Sequence, residues 1–528
     1  MMPNKLLLVL ALLLIILLAP VWVSLPRGDE AIYLLQSAWI AEGKLPYRDF
    51  FQFVWPGSLF IGAILIKLTG FSIIACRIFI TLVLSSGIFA INALGKPHLS
   101  KEARFLLALF LVFNILINDF IFSHHAFSSV FAIWSVFFLI KFFKKNSKKL
   151  VFWTGIFSTL TLLSTQSLGL LILLGNITSL TIGKKTKPAI THFLAGLLIP
   201  AALFTLYLYS NGISSHFWQD TVVWLLNGQY SNTSLPGYFS TGPLEIIQTA
   251  FNTNQHLWTL QWLKLPLAIT MLLTAWLPIL GILWGWQWLI SKKQQHPTPH
   301  WQCLLGLTLA ASLMLLATCS YSTFYHIGLH SGLGLLLTAI YLQQSLPQSR
   351  ALKLFIVSLA CFSVLFSAMY TGWHYFQLIN NSQQWITSYS TAEKTLLSST
   401  DARKTLQMAI ITEVTREHTQ PKNPIFVLNA SPEFYILTKR PSATRFVLLY
   451  PVLTTAEQES EMVKDLERTK PRLIIDDLKA DKMIKFDARF RRHRDTKPRL
   501  NKLEDYIAKH YTPQEIDEQF KIHLRNPD

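Results

Sequence analysis

Long apolar runs alternate with short basic stretches from Leu6 to Trp373, and beyond Trp373 the alternation stops. A bilayer core takes roughly 20 consecutive apolar residues as a helix. On that measure the runs predict about eleven spans. They are Leu6–Leu25, Ser72–Leu94, Phe105–Ile117, Ala126–Phe143, Val151–Ser164, Leu168–Ile182, Ala189–Tyr209, Leu265–Ile290, Gln302–Ser320, Ile327–Leu342 and Leu354–Trp373. The first run is long for a secretory signal and lacks a small-residue cleavage site, so it is read as a retained helix.

Between the spans, lysines gather at Lys141, Lys144, Lys145, Lys148 and Lys149, at Lys184, Lys185 and Lys187, and at Lys292 and Lys293. Cations held in short loops orient spans with those loops in the cytoplasm. The count then puts the N-terminus inside and everything after Trp373 outside. Two long external loops result, residues 26–71 and 211–264.

After Trp373 the pattern becomes that of a water-soluble unit. Asn380–His418 is polar with helical spacing, and Thr455–Thr469 and Leu503–His510 read as helices. Short apolar runs of strand length occur at Ile425–Leu428, Phe434–Leu437, Phe446–Leu449 and Leu473–Ile475. Strand and helix signals in alternation predict a small α/β domain. It carries no phosphate-cradling glycine motif. The basic segment Arg489–Arg499 reads as a solvated face or a membrane-surface contact. The expected fold class is therefore an α-helical polytopic membrane protein, residues 1–373, with an extracytoplasmic α/β domain, residues 374–528.

Composition sharpens this. The chain is 51% hydrophobic and only 14% charged, which suits an integral membrane protein. A net charge of +18 invites a nucleic-acid reading. The cations lie in the loops between spans, however, so membrane lipids with anionic heads are the expected partners, and nucleic acid is not. The four cysteines, Cys76, Cys303, Cys319 and Cys361, form no CxxC pair, so neither a disulfide framework nor a thiolate metal site is expected.

The candidate chemistry begins just past the first run, at Arg27-Gly28-Asp29-Glu30-Ala31-Ile32-Tyr33. An acidic pair beside a membrane is costly unless something uses it. Ile32, Leu35 and Trp39 follow at helical spacing, with Gln36 and Glu42 off that stripe. This predicts an amphipathic helix on the outer surface, with Asp29 as its cap. Ser58–Gly70, apolar but cut from the next span by Gly70, predicts a second surface helix. Lys44, Arg48 and Arg77 are cations that either meet an anionic ligand or snorkel to lipid heads. Arg77, inside a span, calls for a partner. Asp119 stands in the second external turn, as a second acid or a plain turn residue. His124 and His125 beside it raise the question of a metal. Adjacent histidines on a regular element do not readily face one ion, and no spaced third ligand is evident, so no metal and no other cofactor is expected.

Taken in order, Asp29-Glu30, Tyr33, the stretch Gly43-x-x-Pro46-Tyr47-x-Asp49 and Pro56-Gly57 resemble the first external loop of the GT-C membrane glycosyltransferases. The pattern is most similar to the protein O-mannosyltransferase and lipid A aminoarabinose transferase-like group. Arg77, the turn Ser164–Gly169 with Gln166, Tyr325-His326, and Asn429, Tyr435, Thr438, Arg440, Pro441, Thr444 and Arg445 carry weaker likenesses. The resemblance implies a multi-pass protein of a bacterial plasma membrane that transfers sugar on its outer face. The donor would be a polyprenyl-phosphate-linked sugar and the acceptor a glycan, lipid or protein. It implies Asp29 as the base, Glu30 and Asp119 as further acids of the catalytic group, and substrate contacts from Tyr33, Lys44, Tyr47, Arg48, Arg77, Gln166 and His326. A lipid-linked sugar flippase or a non-catalytic envelope-assembly protein is the alternative.

Overall fold

The structure is a computed structural model. It describes residues 26, 28–117, 122–183, 187–226, 264–293, 298–318, 324–345, 402–428, 431–447, 454–478, 500–516 and 520–527, with five isolated positions between 358 and 369. The first predicted span, nearly all of the last one, Asp119, the bulk of the loop 211–264 and the basic segment Arg489–Arg499 lie outside the described residues.

Helix follows helix through the apolar part: α1 Gly28–Ala41, α2 Gly57–Thr69, α3 Ile73–Gly95, α4 Lys101–Ile117, α5 His124–Lys145, α6 Lys148–Ser164, α7 Gln166–Ile182 and α8 Lys187–Ser210. After a break come α9 Ser214–Trp218, which runs on into a π-helical turn Gln219–Val223, then α10 Lys264–Ser291, α11 Pro299–Ala317, α12 Phe324–His330 and α13 Gly332–Ser345. Among the described residues five helices are long and apolar enough to cross a membrane, within α3, α5, α8, α10 and α11. Their ends are set by local chemistry. The hydroxyls of Ser72, Ser123 and Thr298 accept from the backbone N–H groups of Ala75, Ala126 and Trp301, giving each helix a capped start. Asn146 closes α5 in the left-handed conformation, with φ of 52°.

Two devices lock the helices to one another without relying on apolar burial, which drives little between helices in lipid. The first is close backbone approach. A Cβ on Gly196 would lie 2.0 Å from the Phe152 carbonyl oxygen, and one on Gly155 2.2 Å from that of Phe193. Thus α6 and α8 touch along their backbones. The second is a polar knot. Asn176 on α7 donates to Ser135 of α5 at 2.8 Å and to Ser158 of α6 at 2.9 Å, and Ser135 also bonds the Thr154 carbonyl.

Both helices predicted for the first loop are present. α2 ends at Gly70, as its sequence suggests, and leaves Ile64, Leu68 and Phe71 exposed. α1 is not amphipathic in the structure. Nine of its fourteen residues are buried, Gln36 among them. The reason is cover on more than one side: α2 and a later helix, Glu433–Thr438, both pack on it. Gln36 finds partners inside, bonding Gln52 at 2.7 Å and the Phe51 carbonyl at 3.2 Å. Asp29 is not the cap; the helix already begins at Gly28, whose φ is +50°, and Asp29 stands in the first turn.

The later residues carry α14 Ala402–His418, β1 Phe426–Leu428, α15 Glu433–Thr438, α16 Ala456–Thr469, β2 Leu473–Asp477, α17 Asn501–His510, β3 Tyr511–Glu515 and β4 Phe520–Arg525. The strands form one sheet in the order β1-β2-β4-β3, with β1 parallel to β2 and the other pairs antiparallel. The predicted strand Phe434–Leu437 is instead helix α15. Pro432 starts it, Lys439 ends it in the left-handed conformation, and Phe434 and Tyr435 bury on one side while Leu437 stays partly open. Phe446 and Val447 form no strand either; their backbone runs irregularly past Arg445.

Candidate functional site

Arg77 and Glu30 form the floor of the site. Nε of Arg77 donates to Oε1 of Glu30 at 2.9 Å and Nη2 to Oε2 at 2.6 Å, a two-pronged pair. Both side chains are almost wholly buried, at 3% and 2% exposure. Burying two charges costs several kcal/mol per ion and is tolerated only when the geometry is this complete. The pair ties the first turn of α1 to the second turn of α3, so it fixes the place of Asp29, the neighbour of Glu30.

Beside Asp29 stand two histidines, with two more packed against the second of them. His124 and His125 open α5, and each, with Asp29, offers an atom that can ligate a metal. These three atoms lie within 4.8 Å of one another. Adjacent histidines therefore do converge here, against the sequence expectation. They sit at the helix start, where the two side chains are not yet screened from each other by a preceding turn, and their ring centroids are 3.7 Å apart. Asp29 is the third donor that sequence spacing could not supply, because it comes from another helix. Nε2 of His326 on α12 lies 2.8 Å from Nε2 of His125, and Nδ1–H of His330 donates to the His326 carbonyl at 2.7 Å. Tyr33 stacks on His124 with centroids 5.2 Å apart.

Of the residues named from sequence, Asp29, Glu30, Tyr33, Arg77 and His326 come together. Lys44, Tyr47 and Arg48 do not join them. They follow the far end of α1, some 15 Å or more away at about 1.5 Å per helical residue. Lys44 lies over the Trp39 ring at 4.0 Å, and its pKa is lowered by burial. Arg48 pairs with Asp49 at 2.7 Å. Tyr47 is buried with φ of 70°, and its hydroxyl donates to the Val54 carbonyl. Gln166 reaches the loop as well, donating to the Phe53 carbonyl at 2.8 Å. Asp119 is outside the described residues.

That loop, residues 42–56, has a second anchor. Nη1 of Arg445 donates to the Tyr47 carbonyl and to Oδ2 of Asp220, each at 2.9 Å, and its Nε donates to Glu461 at 2.6 Å. Phe51 N–H donates to the Arg445 carbonyl. Burial raises Asp220 from an ordinary carboxyl to about 6, outweighing the Arg445 charge beside it. Sequence reading singled out Arg445 but not Asp220 or Glu461. It also missed His330, whose only trace was its position four residues after His326, on the same helix face.

No protein-family model and no curated protein sequence matches the chain. Solved structures do. ArnT from Cupriavidus metallidurans bound to undecaprenyl phosphate matches with a TM-score of 0.57, and the same protein in its apo state with 0.58. Both are 11% identical, and each alignment covers 99% of this chain and 99% of the other. A likeness of that length at so low an identity is a likeness of fold: the chain has the architecture of ArnT, the GT-C fold that its first-loop residues resemble.

Proposed function

We propose that the protein is a membrane glycosyltransferase that moves a sugar from a polyprenyl-phosphate-type lipid to an acceptor hydroxyl. The observation that carries the reading is the placement of Asp29, held beside a buried, fully paired Glu30–Arg77 floor, within a fold shared along its whole length with a protein solved bound to undecaprenyl phosphate. In this reading the Asp29 carboxylate takes the acceptor's O–H proton. The acceptor oxygen forms its bond to the anomeric carbon from the face opposite the lipid. The bond from that carbon to the phosphate oxygen breaks, its electrons leave with the phosphate, and the centre is inverted.

Glu30 acts through Arg77 and not on substrate, since both its oxygens are committed to that pair. Of the cations and histidine read as phosphate contacts, Arg77 and His326 lie with the Asp29 group, and Arg77 is paired with Glu30. Lys44 and Arg48 belong to the far end of the loop and would meet a different part of the donor or acceptor. The basic loops support an orientation with the N-terminus in the cytoplasm and the site on the outer face of a bacterial plasma membrane. The portion from residue 374 onward supplies, in this reading, an extracytoplasmic domain that helps select the acceptor, and Arg445 is its contact with the first loop.

The test uses purified protein in lipid nanodiscs with a panel of radiolabelled sugars on polyprenyl phosphate. Release of free carrier phosphate by the native protein is expected. Asp29→Asn should slow it by about 100-fold or more, the range for a lost general base. A well-folded Asp29→Asn protein with undiminished transfer overturns Asp29 as the base. Binding of the carrier with no transfer by the native protein overturns the enzyme reading.

A further inference from the structure

We infer that a cleft remote from the Asp29 group binds the phosphate of one anionic phospholipid. Its rim is made by His98, Lys144 and His300, and its floor takes an acyl chain. The cleft lies where α3, α5, α10 and α13 end and α11 begins. His124 opens α5 and Lys144 stands near its other end, so about 20 helical residues, or about 30 Å, separate the two sites. Of the transfer reading the inference needs only the orientation, which makes this end cytoplasmic; binding itself is measured without it.

The cleft has a volume of about 460 Å³, its mouth included. Its floor is apolar: Leu94, Ile140, Leu304 and Ile340 line it, and all four are buried. Trp284 and Trp288, both from α10, form a wall. Such rings suit the level of lipid heads, with an apolar body and a polar N–H. Polar groups gather at the rim, from His98, Lys144, His300 and Gln344. This layering fits an amphiphile; a free phosphate would leave the apolar floor facing water. The parts are fastened to one another. Nε1–H of Trp301 on α11 donates to the Leu289 carbonyl of α10 at 3.4 Å, and Sγ of Cys303 donates to the Ile140 carbonyl of α5 at 3.6 Å. The Trp288 ring meets His300 edge-on with centroids 5.2 Å apart, and His300 lies 5.7 Å from His98.

The rim collects cations without an acid. Among the described residues that line the cleft none is Asp or Glu. Glu102, the nearest acid in sequence, is exposed and bonds Ser100 at the start of its own helix. Burial first, and then the charges of Lys144 and His300, hold the His98 imidazole down to about 4. An anion in the cleft relieves that crowding. Phosphate oxygens accept from the Lys144 ammonium and from ring N–H groups of His98 and His300. His300 also stands in the first turn of α11, where the helix favours negative charge. Cationic pockets between membrane helices on the cytoplasmic side hold anionic lipid heads in general.

The test is native mass spectrometry of the full-length protein in detergent, titrated with phosphatidylglycerol, phosphatidylcholine or inorganic phosphate. One phosphatidylglycerol per chain should bind ahead of any others, phosphatidylcholine more weakly, and inorganic phosphate not at all. Lys144→Gln should weaken that first event about 5-fold, the worth of one lysine near an anionic head, and Lys144→Gln with His300→Gln about 10-fold or more. Both side chains are exposed, so the variants should keep the fold. Lys149→Gln, on the same basic stretch but outside the cleft, should change binding less than about 2-fold. Phosphatidylglycerol should also raise the thermal midpoint of the native protein more than that of the double variant. Equal losses from Lys144→Gln and Lys149→Gln, or no loss in the double variant, overturn the site. Stoichiometric phosphate binding with no lipid retained overturns the lipid as its occupant. Lipid binding without sugar transfer leaves the site standing and sinks the transfer reading alone.

Discussion

Glu30 and Arg77 show what one residue can cost at this site. Removing either partner leaves a buried charge without its counter-ion. Arg77→Met should therefore destabilise the fold by about 3–5 kcal/mol. The double change Glu30→Gln with Arg77→Met should recover much of that loss, because no bare charge is left behind. Thermal unfolding in detergent of the two single variants and the double variant checks this. If the double variant is as unstable as the sum of the singles, the pair is not coupled as its geometry requires.

The same pair marks the limit of reading single residues from sequence. Arg77 inside an apolar run demanded a partner, and Asp29-Glu30 demanded a use, but nothing in the spacing joined position 30 to position 77. The histidines were harder. His124 and His125 are visible as a pair, yet the carboxylate beside them, that of Asp29, comes from another helix. A group made by tertiary packing leaves no period in the chain.

At the scale of elements, the apolar helices were plainly legible. The predicted Ser72–Leu94 and Ala126–Phe143 match α3, Ile73–Gly95, and α5, His124–Lys145, to within two residues at each end. Twenty apolar residues in a row have few other options. The sheet was less legible. β3 and β4 are built from Tyr511–Glu515 and Phe520–Arg525, which carry charges and Pro513 and no apolar run. Their pairing with each other and with β2 supplies what propensity does not. α15 failed in the opposite direction, being apolar enough for a strand but held as a helix by its ends.

What holds the membrane helices can be tested at this scale too. Asn176→Leu removes both donors of the knot and leaves Ser135 and Ser158 to bond each other, as they already do at 2.9 Å. Its cost should be about 1 kcal/mol. Gly196→Leu has no such escape, since its side chain would occupy the space of the Phe152 backbone. It should cost several times more. Comparing the two variants by unfolding in the same detergent separates polar bonding from backbone contact; a larger loss for Asn176→Leu would reverse the ranking proposed here.

For the whole molecule the decisive contact is Arg445 with Asp220 and the first loop. Asp220 has its folded pKa raised to about 6 from an unperturbed 3.8. A raised acid binds its proton more tightly when folded. Its contribution to stability is thus complete below about pH 4 and is lost as the pH rises through about 6. In Asp220→Asn the group cannot titrate. The stability of wild type relative to this variant should fall between about pH 4 and 6 and level off above that. A flat difference across that window would mean that Arg445 fully offsets the burial of the carboxylate.

Arg445 also sets a schedule. It bonds the carbonyl of Tyr47, a residue 398 positions earlier. At about 5–20 residues per second of synthesis, some 20–80 s separate the appearance of the loop from that of its anchor. A newly made chain therefore carries its first loop unfastened until that anchor is made. Only a chain translated past residue 445 can draw that loop shut, so one stopped earlier carries Asp29 and the first loop without the clasp.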